Sequence, residues 1–205
     1  MKRWRAVVPI KLSADTKSRL AGLLSPGERR ALGERMARHV LAMLDASKSF
    51  DQITILSPDR PEWWAREWAF DRGRGLNAEL TAWRAEQGAA PVLVIHADLP
   101  LLTADDVAGL LATAESSGVA LATDRAGTGS NALAIADGRD LNFRFGADSR
   151  SFHAVQARTM PVLASTGLAA DLDTPDDAAF VEALGFALRP SSPREGPREG
   201  LSRHA

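Results

Sequence analysis

Pro91-Val92-Leu93-Val94-Ile95-His96-Ala97-Asp98-Leu99-Pro100 is an apolar run that leads into a carboxylate. A short apolar run opened by a proline and closed by polar residues reads as a strand buried on both faces, the kind found in the middle of a parallel sheet. In an open α/β sheet ligands bind at the carboxyl ends of such strands. Asp98 therefore stands where chemistry is expected. A second acidic stretch, Asp171-Leu172-Asp173-Thr174-Pro175-Asp176-Asp177, is read as following another apolar run, and Asp171 and Asp173 alternate along an extended segment so as to share one face. Three carboxylates from two strand ends would make a hard-oxygen site for Mg2+ and a nucleoside triphosphate. Helix capping is the competing reading: Thr174 suits an N-cap, Pro175 a first helical position and Asp177 a first turn. It leaves Asp171 and Asp173 unexplained.

Strands and helices alternate through the rest of the chain. Residues 6–10 read as a buried first strand. Residues 26–44 read as a helix, with Ser25 as N-cap, Pro26 at its first position and Leu32, Met36, Val40, Leu41 and Leu44 at helical spacing. A strand is predicted over 52–56, short helices over the tryptophan-rich stretch 61–70 and over 76–87, and a helix to residue 115 opened by Thr103 and Asp106 as a capping box. Strands follow at 119–123 and 132–136, then a turn at 143–146, a helix over 148–157, an edge strand over 160–163 and a last helix to about 184. This rhythm implies an α/β fold whose mostly parallel central sheet carries helices on both faces. One domain over residues 1–188 is expected, with a disordered C-terminal tail over 189–205, where Pro-Arg-Glu-Gly occurs twice.

Composition narrows the class. The 205 residues are 45% hydrophobic and 25% charged, enough for one sizeable core. With 25 basic and 26 acidic residues, the net charge of -1 gives no global case for nucleic acid or a membrane surface as partner. The absence of cysteine removes disulfides, thiolate metal sites and cysteine nucleophiles. The apolar stretch at 6–10 is too short for a signal core, and no run has membrane-spanning length, so the cytoplasm is the expected location.

Three loops carry candidate chemistry. Lys11, Lys17 and Arg19 follow the first strand, where cations can meet phosphates and balance charge during transfer; a solvated connector is the plain alternative. Neither GxGxxG nor GxxxxGK[ST] is present. In Asp124-Arg125-Ala126-Gly127-Thr128-Gly129-Ser130-Asn131, Thr128, Ser130 and the backbone amides can cradle a carboxylate or phosphate, or simply make a turn. Gly146 is expected to open a helix whose N-terminus, beside Ser149, accepts an anion. Asn77 is a candidate nucleotide contact or a helix N-cap. Trp63, Trp64 and Trp68 lie at helical spacing and suit packing on the sheet or on a second subunit better than a base-stacking wall. His96 reads as packed or solvated rather than a general base, and His39 and His153 receive no catalytic role.

Taken in order, Pro9-Ile10-Lys11, Lys17-Ser18-Arg19-Leu20, Leu24-Ser25-Pro26, Ser57-Pro58-Asp59, Gly75-Leu76-Asn77, Ala97-Asp98-Leu99-Pro100, the 124–133 loop, Phe143-Arg144-Phe145-Gly146 and Asp171-Leu172-Asp173-Thr174-Pro175 resemble the CofC/FbiD guanylyltransferase family of coenzyme F420 biosynthesis. The resemblance covers roughly residues 6–185. It implies a single-domain, GT-A-like nucleotidyltransferase fold and the transfer of GMP from GTP to a phosphorylated three-carbon acid. Phosphoenolpyruvate and 3-phospho-D-glycerate are favoured as acceptor over 2-phospho-L-lactate.

The resemblance further implies that Asp98, Asp171 and Asp173 bind Mg2+. Ser130, Gly146 and Ser149 match positions that hold the phospho-acid, and Lys17 and Arg19 match a basic catalytic loop. Position 130 is Ser where many members have Thr, which keeps the hydroxyl. The product would pass to the phosphotransferase of the F420 pathway, and a second copy of the chain is a further candidate partner. A same-fold enzyme for a sugar phosphate or molybdopterin, and a non-catalytic GTP-binding protein, are the alternatives.

Overall fold

The computed structural model describes residues 3–12 and 16–189, so most of the expected C-terminal tail lies outside the described residues. Strands β1 (Trp4–Pro9), β2 (Phe50–Ser57), β3 (Trp68–Phe70), β4 (Val92–Ile95), β5 (Val119–Thr123), β6 (Ser130–Ile135) and β7 (Val162–Leu163) form one sheet in the order β3-β2-β1-β4-β6-β5-β7. β1 runs parallel to β2 and β4, β2 to β3, and β5 to β7; β6 is antiparallel to β4 and β5. The sheet grows from β1 towards β2 and β3 on one side and towards β4 on the other. The reversal opens a crevice at the carboxyl ends of β1 and β4.

Helices α1 (Pro26–Ala46), α2 (Leu76–Glu86), α3 (Ala104–Ser117), α4 (Ser149–Ala154), α5 (Thr166–Ala169) and α6 (Pro175–Ala183) cover the sheet and its ends. Alternation along β1 and β4 assigns the two faces. Trp4, Ala6, Val8, Leu93 and Ile95 pack with Val40, Leu41 and Leu44 of α1 and Val107, Leu110 and Ala114 of α3. Val7, Val92 and Val94 pack with Leu80 and Trp83 of α2 on the opposite face. A third cluster joins Leu20, Leu24, Leu32 and Met36 to Leu172, Ala178 and Val181, fastening the 171–173 segment to α1.

Local chemistry sets where the helices begin. Ser25 and Glu28, Thr103 and Asp106, and Thr174 and Asp177 each make a reciprocal capping box, with Pro26 and Pro175 at first helical positions. The capping reading of 174–177 is therefore correct, and it coexists with the separate placement of Asp171 and Asp173.

Two expectations are corrected. Residues 61–70 do not form a helix: Pro61 and Trp64 close a turn, and 68–70 become an edge strand paired with Ile55, Leu56 and Ser57. The sheet edge offers backbone partners, and aromatic residues suit a pleated surface. Each tryptophan finds its own contact, Trp63 under Arg38, Trp64 under Arg66, and Trp68 donating its indole N–H to Ser57 Oγ at 3.1 Å. Residues 171–173 are not a strand either; they follow α5, whose four residues are too few to show periodicity. Their tie to the sheet is a backbone bond from Leu172 N–H to the Asp98 carbonyl at 3.0 Å.

Leu93 is fully buried in β4. Leu93→Ala is expected to lower the unfolding free energy by about 2–5 kcal/mol, read as a shift of the urea midpoint at constant m-value.

Candidate functional site

The crevice at the ends of β1 and β4 holds a cavity of about 360 Å3 lined by Ile10, Lys11, Lys17, His96, Asp98 and Asp173, among others. Lys17 takes up a left-handed backbone conformation, φ 55°, immediately before a 3-10 turn over Ser18–Leu20. Such a conformation costs a non-glycine residue on the order of 1 kcal/mol. It delivers a side chain only 9% exposed, whose Nζ lies 2.6 Å from Asp98 Oδ2 and 3.4 Å from Asp173 Oδ1. The exposed Arg19 donates from Nη1 to Asp173 Oδ2 at 3.1 Å. The basic loop and the two acidic segments thus meet.

The pair stays charged. Burial would push the Lys17 pKa down, but Asp98 and then Asp173 outweigh it and the net shift is upward. Burial would push Asp98 up, but Lys17 and then His96 hold it below the usual carboxylate range. Only one side of the Asp98 carboxylate is served: Oδ1 is buried and, among the described residues, has no hydrogen-bond partner.

Asp171 is the electrostatic counterpart. Burial, and then the charge of Asp98, push its pKa up to about 6, with a hydrogen bond from Asn131 opposing them. The Asn131 Nδ2 group donates to Asp171 Oδ1 at 3.2 Å and to the Leu168 carbonyl at 3.0 Å, while the Asn131 backbone carbonyl accepts from the His96 backbone N–H at 2.9 Å. The β5–β6 register slips here: Ala122 pairs with Ala132 but Thr123 with Ser130, leaving Asn131 as the extra residue. Such a bulge re-aims side chains. Asn131, quoted in the sequence only for its backbone amide, is the side chain that sequence reading missed, because a slipped register leaves no periodic trace.

Among the described residues no three His, Cys, Asp or Glu side chains already stand together as a metal site. Lys17 lies between Asp98 and Asp173 instead. The donor chemistry nevertheless fits a hard divalent cation. An unpartnered buried oxygen on Asp98, together with an Asp171 whose pKa burial and then the Asp98 charge raise to about 6, is an arrangement that a cation relieves.

The remaining candidate residues gather at the neighbouring ends of β5 and β6 and around a second cavity of about 480 Å3 lined by Asn77, Arg144, Phe145, Gly146 and others. Ser130 is buried, with Oγ 3.0 Å from His153 Nδ1. Gly146 has φ 127° and accepts at its carbonyl from the buried Ser149 N–H at 3.2 Å. It does not open the helix; Asp148 is the N-cap of α4. Thr128 N–H is already engaged by Asp124 Oδ1 at 2.9 Å, so that amide closes its own loop. Asn77 is not an N-cap, Gly75 being the cap of α2. Its amide group both donates to the Phe145 carbonyl at 3.0 Å and accepts from the Phe145 N–H at 2.8 Å. His96, next to the site, is a packed ring 5.2 Å from Phe145, and His39 contacts the Leu102 carbonyl at 2.8 Å. No helix of the described residues is long and apolar enough to cross a membrane.

The family described as "Guanylyl transferase CofC like" matches residues 4–182. Over 184 residues, 84% of this chain and 89% of that protein, the chain is 41% identical to the phosphoenolpyruvate guanylyltransferase of Sphaerobacter thermophilus. It is 38% identical over 182 residues to the protein of the same name from Chloroflexus aggregans, covering 81% of this chain and 90% of that one. A solved 4-diphosphocytidyl-2C-methyl-D-erythritol synthase superposes with a TM-score of 0.60 at 13% identity, over 90% of this chain and 99% of its own, and so shares the fold.

Lys17→Met leaves the Asp98 carboxylate, whose side chain is 25% exposed, without its counterion, and a loss of roughly 1–3 kcal/mol in unfolding free energy is expected. Lys17→Met combined with Asp98→Asn is expected to recover much of it in urea titrations. His153 gives a separate pH signature, since burial lowers its pKa from 6.5 to about 4. Between those pH values the unfolded chain binds a proton that the folded one refuses, so this contribution to stability falls on acidification from pH 6.5 to about 4. The raised pKa of Asp171 acts in the opposite sense over part of that range, so the difference in urea midpoint between wild type and His153→Phe is the quantity to follow. That difference is expected to shrink or reverse as the pH falls.

Proposed function

The chain belongs to the CofC-like guanylyl transferase family, and on that premise we propose that it transfers GMP from GTP to phosphoenolpyruvate and releases pyrophosphate. A phosphate oxygen of the acid attacks the α-phosphorus of GTP; the bond from that phosphorus to the bridging oxygen breaks, and pyrophosphate leaves with the electron pair. No protein nucleophile is involved. The observation that carries this reading is the charge arrangement at the β1/β4 crevice, where Lys17 and Arg19 meet Asp98 and Asp173, while Asp98 Oδ1 has no partner among the described residues and burial raises the pKa of Asp171 to about 6.

Asp98, Asp171 and Asp173 would hold Mg2+, which when bound neutralises the triphosphate and the charge of the in-line transition state. Lys17, kept charged and lining the cavity, and the exposed Arg19 bind the β- and γ-phosphates and the departing pyrophosphate. Asn131 holds the Asp171 carboxylate in place. Ser130, Gly146 and Ser149, with the 127–131 loop that contains Thr128, receive the phospho-acid. Asn77, its amide engaged on both backbone groups of Phe145, shapes that acceptor loop. The relatives' shared name supports phosphoenolpyruvate over 3-phospho-D-glycerate and 2-phospho-L-lactate. The guanosine diphospho-acid would be consumed by a phosphotransferase in coenzyme F420 biosynthesis.

Purified protein with GTP, Mg2+ and phosphoenolpyruvate, coupled to the F420 phosphotransferase and its deazaflavin acceptor, is expected to release pyrophosphate, with weaker turnover on the other two acids. Chelation of the metal is expected to abolish turnover. Asp98→Asn and Asp171→Asn are each expected to reduce kcat by about 100-fold or more, since charge neutralisation of this kind is worth several kcal/mol. Near wild-type rates in both variants would refute the carboxylate assignment.

A further inference from the structure

We infer that His153 is a positioning residue that commits the Ser130 hydroxyl to donating its proton towards the acceptor acid and fixes the acceptor loop relative to β6. The inference rests on the reading of Ser130 as part of the acceptor site. His153 is fully buried on α4, and each ring nitrogen has one partner: Nε2 lies 2.9 Å from the Arg144 backbone nitrogen and Nδ1 lies 3.0 Å from Ser130 Oγ. A backbone N–H can only donate, so Nε2 is the unprotonated, accepting nitrogen. A neutral imidazole then carries its proton on Nδ1, and that proton is donated to Ser130 Oγ. Burial keeps the ring in the neutral form this requires.

The consequence falls on the hydroxyl. A serine that accepts from a fixed donor keeps its own proton for another acceptor, and among the described residues Ser130 Oγ has no second partner. An anionic carboxylate or phosphate is the chemical class that such a donor suits. The same ring also fixes the loop: His153 holds the backbone at Arg144, Asn77 clamps both backbone groups of Phe145, and Gly146 follows. Phe145 packs edge-on against the ring at 4.9 Å. Ser130 precedes Asn131 at the bulge, so neighbouring residues address the acceptor loop and the Asp171 carboxylate respectively.

A histidine that merely fills space would leave acid recognition alone, which makes the two roles separable. His153→Phe keeps the packing against Phe145 and removes both hydrogen bonds. Its KM for phosphoenolpyruvate is expected to rise about 10-fold, the effect of losing roughly one hydrogen bond, with KM for GTP and kcat changed far less. Ser130→Ala is expected to match it, the double variant to add little, and His153→Asn, which restores a donor near Oγ, to recover part of the loss. If His153→Phe folds poorly, the wild-type ring is read directly: 15N-edited NMR is expected to show the proton on Nδ1. An Nε2–H tautomer, an acid KM unmoved in His153→Phe, or full additivity with Ser130→Ala would overturn the inference. Absence of turnover by wild type with every acid would instead overturn the reading of the reaction.

Discussion

The ion pair between Lys17 and Asp98 is the constraint around which the crevice is built. A carboxylate largely withdrawn from water at the end of the central strand is costly unless it is paired, and Lys17 Nζ stands 2.6 Å away. Placing that ammonium requires a left-handed turn at Lys17, which leads into the 3-10 segment, buries Leu20 and brings Arg19 within reach of Asp173. Asp173 in turn is held near β4 because Leu172 donates to the Asp98 carbonyl and packs beneath α1. Chain segments 156 residues apart are thereby joined through one ammonium, which bonds the carboxylates of both Asp98 and Asp173.

The compensation is incomplete, and that is where chemistry enters. Asp98 Oδ1 is buried without a partner, and Asp171 is pushed to a pKa of about 6 by burial and by the charge of Asp98. Incompletely satisfied charges of this kind cluster at functional sites, and the proposed reaction would bring a cation and a triphosphate to this one. The bulge at Asn131 serves the same end, since it directs an amide to Asp171 where a regular strand would present the opposite face. Acceptor recognition is proposed to lie one residue away, on Ser130, so a single irregularity in β6 serves both sides of the proposed reaction.

Much of this was legible in the chain. The 91–98 run, the capping residues Ser25, Thr103 and Thr174, and the apolar spacing of α1 are local signals, and they placed the central strand, three helix starts and Asp98 correctly. What was not legible depends on partners distant in sequence. The tryptophan stretch at 61–70 has helical spacing but becomes part of a sheet edge, because β2 supplies backbone partners that no local pattern reveals. Asn77 reads locally as a possible helix cap, yet Gly75 is the cap and the Asn77 amide is bonded to Phe145, 68 residues on. His153 was passed over because its significance lies in contacts with residues 130 and 144 and not in its own helix.

A crystal structure with Mg2+, a non-hydrolysable GTP analogue and phosphoenolpyruvate bound together would locate all three components of the proposed reaction. The expected result is a metal ion ligated by Asp98 and Asp171, the triphosphate against Lys17 and Arg19 in the β1/β4 crevice, and the acid against Ser130 and Gly146. A nucleotide bound elsewhere, or a metal that leaves both Asp98 and Asp171 untouched, would contradict it.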